Sequence, residues 1–332
     1  MRKRQARTAA DVSDQLLSEL EEALGHPQDI FGYGRYGDGE QWSHLDMMTG
    51  GLQDKTLAVM AARPKRGKSM LVAGWVPLIA EQASERGEVV RVVTLEMQRK
   101  SYQRRMAAIR AQIKDPMNIR RGKLTPEEVV RYKQALMDIA SLPIQYLSNE
   151  EDLDEDEALQ LGNSGVTFKD IKAFIEGRAD PDGYATYWWV VDHIGLISDL
   201  TPDGNVTTSI YSLANKLANL AHREAAGMVI THLTRASTGG MPTIESIAGS
   251  DQVGRNADQI FLLSRPFMDL PDLTEEQQEQ LKEGEPGFLQ FFSRDEGSGI
   301  DTLWWDRERA TFRELVVPEG VELPMPKKAN KK

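Results

Sequence analysis

Residues 56–86 read TLAVMAARPKRGKSMLVAGWVPLIAEQASER. Thr56 to Ala61 is a short apolar run with the length and composition of a buried strand. Ala62-Arg-Pro-Lys-Arg-Gly67-Lys68-Ser69 follows, and then an apolar helical pattern that stops at Gly87. A strand, a tight loop ending in Gly-Lys-Ser and a helix together make a phosphate-binding loop. The chemistry explains the residue types. Backbone N–H groups of the loop and first helical turn converge on phosphate oxygens, and the helix dipole favours negative charge there. Gly67 lets the backbone approach, Lys68 brings a point charge to the β- and γ-phosphates, and the Ser69 hydroxyl is a ligand for Mg²⁺. Ala62, Arg63, Pro64, Lys65, Arg66, Gly67, Lys68 and Ser69 are therefore read as the nucleotide-binding loop. Ala62 stands where the pattern usually has its first glycine. A chance Gly-Lys-Ser in a basic turn is the alternative, and the flanking strand and helix speak against it.

Outward from this loop, other apolar runs end in residues with chemistry to offer. Val89 to Leu95 reads as a second buried strand ending at Glu96, Tyr187 to Val191 leads to Asp192, and Met228 leads to His232. A carboxylate at the carboxyl end of a buried parallel strand lies where open α/β sheets bind ligands. Beside a phosphate loop, Asp192 would orient Mg²⁺ through water, or else cap a turn. Glu96 could take a proton from a water attacking a γ-phosphate, or complement a helix dipole. His232 could hydrogen-bond a γ-phosphate, or be a structural strand-end histidine.

Strands alternate with helical patterns through most of the chain. Helices are expected over Lys100 to Lys114, from the capping box Thr125-Pro-Glu-Glu128 to about Ser141, over Thr167 to Arg178 and over Thr207 to Ala226. Further strands are expected at Ile144 to Leu147, Thr186 to Asp192, Asp258 to Leu263, Gly287 to Arg294 and Thr302 to Asp306. A hairpin-like turn at Glu296-Gly-Ser-Gly299 joins the last two. The expected fold is α/β, a mostly parallel sheet flanked by helices with antiparallel strands at the C-terminal end. Residues 1–30 read as a basic tip and a helix striped with Leu16, Leu17, Leu20 and Leu24. Residues 31–39 are a glycine-rich linker, 150–157 an acidic loop, and Thr274-Glu-Glu-Gln277 caps another short helix. Residues 234–250, rich in Gly, Ser and Thr, form a long loop of the functional sort. The chain thus divides into an N-terminal part at 1–30, a core at 31–320 and a basic tail at 321–332.

Composition narrows the function. A chain of 332 residues with 40% hydrophobic and 27% charged content has ample material for a core. Without cysteine there is no disulfide framework, thiolate zinc site or thiol nucleophile, which suits a cytoplasmic protein. The basic start leads into no apolar segment, and the longest apolar stretch, Leu71 to Ala80, is too short to span a bilayer. A net charge of −11 argues against a surface coated in basic residues for duplex binding. It leaves room for a local basic channel.

TLAVMAARPKRGKS, VVTLEM, WWVVDHIGLI, VITHLTR and AGSDQVGRNADQIFLLSR, with IRRGKLTPEE between them and SRDEGSG near the end, resemble the DnaB-type hexameric replicative helicases. The resemblance runs from about Gly32 to Leu315 and implies a RecA-like core. An Ala-Arg-Pro ahead of the Gly-Lys-Ser is a habit of that family. It implies ATP and Mg²⁺ as cofactors, Glu96 as catalytic base, Asp192 as Mg²⁺-orienting acid and His232 as γ-phosphate sensor, where the family usually has glutamine. Arg294 matches the arginine finger that reaches a neighbouring subunit's ATP, and Phe292 replaces the lysine usual two positions before it. Loops at about Ser198 to Thr208 and Thr234 to Arg255 match those that grip single-stranded DNA. Among them Gly249, Ser250 and Asp251 match the phosphate-gripping positions. Ala248 replaces the expected arginine, for which Arg235 and Arg255 could compensate.

The resemblance further implies a homo-oligomer, a hexameric ring, with a primase or helicase loader as partner. The family's N-terminal helical domain is expected to be missing, and the helix at 11–24 to serve as its linker element, a phage- or plasmid-like arrangement. Two other readings stay open: a RecA-like ATPase that loads or remodels proteins without unwinding, and a non-catalytic module that keeps only the fold.

Overall fold

The computed structural model describes residues 13, 17, 42–149, 165–178, 180, 182–199, 206–233, 241–247, 251–269, 284–294 and 297–315. Among these residues nine strands form one sheet: β1 Leu57–Ala62, β2 Val89–Thr94, β3 Ile144–Ser148, β4 Thr186–Asp192, β5 Ala226–His232, β6 Gln259–Ser264, β7 Gly284–Ser293, β8 Gly297–Asp306 and β9 Thr311–Glu314. Their order is β3-β2-β4-β5-β1-β6-β7-β8-β9. Neighbours from β3 across to β6 are parallel, and those from β6 to β9 antiparallel. This is the α/β architecture the sequence leads one to expect.

The parallel strands are near-continuous apolar runs because both faces are covered. Side chains alternate along β1: Ala58, Met60 and Ala62 enter one core, Leu57, Val59 and Ala61 the other. Trp188 and Val190 of β4 go to the first side, Trp189 and Val191 to the second. Helices Lys68–Arg86, Arg99–Arg110 and Pro126–Ser141 fill the first core; Phe168–Ile175 and Val206–Ala221 fill the second. Trp42, just ahead of the helix Ser43–Thr49, packs edge-on against Trp75 of the helix Lys68–Arg86, with ring centroids 5.6 Å apart. Gly227 of β5 lies so close under Trp189 that a Cβ there would come within 2.0 Å of the indole. The indole N–H donates to the Ala225 carbonyl at 2.9 Å.

Caps fall where the sequence puts them. Thr125 and Glu128 close a capping box with Pro126 at the first helical position, and Thr167 with Asp170 forms a second one. Several boundaries differ from expectation. The helix expected to reach Lys114 ends at Arg110, because Ala111 closes it and Gln112 takes φ 48°. A separate helix, Met117–Arg121, follows between Pro116 and Gly122. The helix expected to run to Ala226 ends at Ala221, since Ala226 opens β5 by pairing with Trp188. Gly297, Ser298 and Gly299 pair with Ser293, Phe292 and Phe291, so these residues belong to β8 rather than to a turn. β9 and the helix Ser43–Thr49 are additions, too short for periodicity to reveal.

A buried charge interrupts the apolar pattern of β2. Arg91, in the middle of β2, meets Asp180 Oδ2 at 3.1 Å, Gln145 Oε1 at 2.5 Å, Thr186 Oγ1 at 2.7 Å and the Tyr184 carbonyl at 2.9 Å. The linker at 31–39, the acidic run at 150–157, the helix capped at Thr274 and the basic tail lie outside the described residues. Of the striped N-terminal helix only Ser13 and Leu17 are described, both helical and exposed.

Candidate active site

The carboxyl ends of β2, β4, β5 and β1 lie side by side, and each delivers one element of the site. Thr94 pairs with Asp192, which brings Glu96 beside the end of β4, and Ala62 pairs with His232. Leu95 and Glu96 donate backbone N–H bonds to the Asp192 carbonyl, at 2.7 and 3.2 Å. A fold that puts consecutive strand ends together thus assembles residues spread from 62 to 232 of the sequence.

The loop from Ala62 to Ser69 turns tightly. Lys65 takes φ 61° and Gly67 φ 93°, and the N–H groups of Met70 and Leu71 both return to the Gly67 carbonyl. Gly67 is required on two counts, its left-handed φ and its neighbours. A Cβ on it would lie 2.7 Å from Phe312 Cε2 and 3.3 Å from the Trp305 ring. Those two aromatic rings, from β9 and β8, meet at 4.7 Å between centroids. Arg265 stacks over Trp305 at 4.2 Å and donates to Glu285, while Arg66 donates to the Met268 carbonyl at 3.0 Å.

Lys68 is buried, and its Nζ lies 3.1 Å from His232 Nδ1. An ammonium group can only donate, so Nδ1 accepts and the neutral imidazole carries its proton on Nε2. Burial pushes the Lys68 pKa down, while Asp192 and Glu96 pull it back up. His232 is held below the usual imidazole range by burial and by the Lys68 charge, against the opposite pull of Glu96.

Asp192 is fully buried, and among the described residues neither carboxylate oxygen has a hydrogen-bond partner. Its pKa rises to about 6, chiefly by burial and also through Glu96; the Ser69 hydroxyl and Lys68 oppose the rise. An unpartnered, buried carboxylate next to the loop hydroxyl is a donor set that suits a hard cation with bound water.

His193 belongs to this cluster, although the sequence reading passed over it. The Asp192–His193 peptide is cis, and the short turn Ile194–Leu196 follows. Gly195 N–H donates to His193 Nδ1 at 3.0 Å, and the ring meets His232 edge-on at 4.6 Å between centroids. Burial and His232 lower its pKa to about 4. Glu96, His193 and His232 each offer a ligand atom within 4.8 Å of the others. Both rings carry their proton on Nε2, however, and the Lys68 ammonium adjoins one of them. Transition-metal binding at Nε2 would have to shift those protons against that charge, so the two rings are better suited to donating from Nε2 than to ligating.

Arg294 lies elsewhere. It follows β7, its N–H reaches the Asp258 carbonyl at 3.2 Å, and its guanidinium meets Asp258 Oδ1 at 3.6 Å and the Arg255 carbonyl. Asp258 also accepts from Leu57 N–H, at the amino end of β1. Arg294 and the loop from Ala62 to Ser69 therefore stand at opposite ends of a six-residue strand, about 17 Å of extended chain. A cavity of about 380 Å³ opens beside it, lined by Arg255, Asp258 and Phe292 among others. Arg255 is exposed in the last turn of the helix Asp251–Asn256. Arg235, Gly249 and Ser250 lie outside the described residues. Trp305 and Phe312 left no sequence signal, since nothing local ties them to a loop so far away in the chain.

Comparison with known proteins places this geometry. The DnaB-like helicase C-terminal domain matches residues 39–285. The replicative DNA helicase DnaB of Geobacillus stearothermophilus is 24% identical over 229 residues, covering 68% of this chain and 46% of that protein. The replicative DNA helicase DnaB of Synechocystis is 28% identical over 173 residues, covering 49% of this chain and 18% of that one. The chain thus spans less than half the length of these relatives. Among solved structures, an ATPase domain superposes with a TM-score of 0.72 at 17% identity, covering 92% of this chain and 99% of its own. A DnaB-like replicative helicase, described with its interactions with primase, gives 0.71 at 17% identity, covering 94% and 68%. At such identities the superpositions speak for the fold. Matched along most of its length by one family and carrying that family's fold, the chain belongs to the DnaB-like helicase C-terminal domain family.

Proposed function

We propose that this chain is the ATP-hydrolysing motor of a ring-forming replicative DNA helicase that moves along single-stranded DNA. The observation that carries the reading is Asp192, a buried carboxylate with both oxygens unpartnered beside the Gly67-Lys68-Ser69 turn. A buried carboxylate with neither oxygen partnered calls for an explanation, and a cation bound beside the Gly-Lys-Ser turn supplies one. The Ser69 hydroxyl and, through water, Asp192 would hold Mg²⁺, which when bound neutralises charge developing on the phosphate oxygens. Lys68 and the loop N–H groups fix the β- and γ-phosphates. Glu96 accepts a proton from the attacking water as its oxygen bonds to the γ-phosphorus. The bond to the bridging oxygen breaks, and ADP and phosphate leave. His232, with its proton on Nε2, donates to the γ-phosphate as a glutamine amide would.

Arg294 serves a neighbouring subunit, because it stands at the far end of β1 from its own loop. The loops that include Arg235, Gly249, Ser250, Asp251 and Arg255 contact DNA, and the N-terminal helix docks on the next subunit in a head-to-tail ring. A primase or loader is a partner suited to this class. A loader or remodelling ATPase is the second reading, favoured by Ala248 and the net charge of −11. ATPase rate with and without single-stranded DNA, together with unwinding of a forked duplex, separates the two. DNA-stimulated hydrolysis with unwinding is expected; hydrolysis indifferent to DNA would favour the second.

A further inference from the structure

We infer that His193 is the residue that positions Glu96: its Nε2–H holds the carboxylate of the general base in line with the attacking water. The inference rests on the reading of Glu96 given under Proposed function and adds a residue to it. A general base must be held within about 3 Å of the proton it takes, and positioning of this kind governs much of the rate. Glu96 is exposed and its carboxylate makes no hydrogen bond to another described residue. Its backbone is fixed to Asp192, yet its side chain is not.

His193 is the reverse, a side chain fixed on several sides. Gly195 N–H binds Nδ1 at 3.0 Å, and the His232 ring packs edge-on at 4.6 Å. Gly195 presses so close that a Cβ on it would lie 2.8 Å from His193 Cε1, and Ile194 and Ile197, which bracket the turn, are buried. Because Nδ1 accepts, the proton is on Nε2, and the ring can only donate from that atom. The ligand atoms of Glu96 and the two histidines lie within 4.8 Å of one another. A glutamate rotamer change closes such a gap to a hydrogen bond. The two rings share one tautomer and divide the work. Lys68 pins His232 at the phosphates, and His193 is left to the base.

The test compares steady-state ATPase of the assembled wild-type protein with that of five variants. His193→Phe keeps the ring and removes the donor; kcat is expected to fall about 10-fold with KM for ATP within about twofold. His193→Ala, which adds no bulk, does the same should the phenylalanine not fold. His193→Gln, whose amide can reach the Nε2 position, is expected to recover kcat to within about threefold of wild type. In a Glu96→Gln background, His193→Phe should add less than about twofold, since a residue acting through the base has nothing left to position. Unchanged kcat in both donor-less variants, or losses that multiply in the double variant, would overturn the inference while leaving Glu96 as base. Wild-type turnover in Glu96→Gln alone would remove the base itself, and the inference with it.

Discussion

Lys68 Nζ and His232 Nδ1 stand 3.1 Å apart, so the lysine of the Gly-Lys-Ser turn also sets the tautomer of the histidine beside it. One ammonium fixes two things: where the charge sits, and which nitrogen of the neighbouring ring is a donor. His232→Gln retains a donor and should keep hydrolysis within about threefold. His232→Leu should lower kcat about 10²-fold, with nucleotide affinity measured by fluorescence titration changed far less. Equal losses in both would mean that the ring acts by shape.

Lys68→Ala and Arg294→Ala should fail for different reasons, the first in binding ATP and the second in hydrolysing it. Because Arg294 lies across the sheet from its own loop, rings mixed from the two variants should regain activity at interfaces pairing an intact loop with an intact Arg294. ATPase measured across mixing ratios tests this. No recovery in confirmed mixed rings would take Arg294 out of the mechanism.

Asp192→Asn should abolish hydrolysis and yet stabilise the protein free of nucleotide and metal. The wild-type site keeps an ionised carboxylate buried without partners at neutral pH, which costs on the order of 1–3 kcal/mol. Thermal unfolding in chelator at pH 8 should show the gain. Magnesium with nucleotide should narrow it by stabilising only the wild type.

The same two neighbours give opposing pH trends. His193 titrates near 6.5 when unfolded and about 4 when folded, so the unfolded chain binds the extra proton and stability falls as pH drops from about 6.5 to 4. Asp192 titrates near 3.8 unfolded and about 6 folded, so there the folded chain binds the proton and stability rises as pH drops from about 6 to 3.8. In the metal-free wild type the two largely offset. Asp192→Asn should therefore expose a steeper loss of melting temperature below pH 6.5 than the wild type shows.

Gly67→Ala should eliminate nucleotide binding and lower stability by roughly 1–2 kcal/mol, since φ 93° disfavours any Cβ and Phe312 occupies its space. Adding Phe312→Ala removes the clash but not the strain, so the double variant should regain part of the stability and little of the binding. Full recovery would locate the whole penalty in the aromatic contact.

What could be read from the sequence was what local rules determine. The strand, loop and helix from 56 to 86 follow from residues adjacent in the chain. Glu96, Asp192 and His232 were legible because each ends an apolar run, and parallel strand ends share one rim. The place of His193 in the cluster was not, because it depends on a turn that puts Gly195 N–H against the ring. Arg91 inside Val-Val-Arg-Val-Val-Thr gave no hint of Asp180, its partner from a distant loop. Trp305 and Phe312 over Gly67 depend on where β8 and β9 lie at the edge of the sheet, a tertiary fact. Helix ends at Arg110 and Ala221 moved because the turn at Gln112 and the pairing of Ala226 outweighed helix propensity.

The edge-on contact of Trp42 with Trp75 gives the fold a mechanical property. Trp75 sits two turns into the helix that begins at Lys68, and Trp42 is where the chain from residues 1–41 joins the described core. Close-packed rings barely compress, so a displacement at Trp42 passes into that helix rather than being absorbed. The start of the described core is thus stiffly coupled to the helix that carries Lys68.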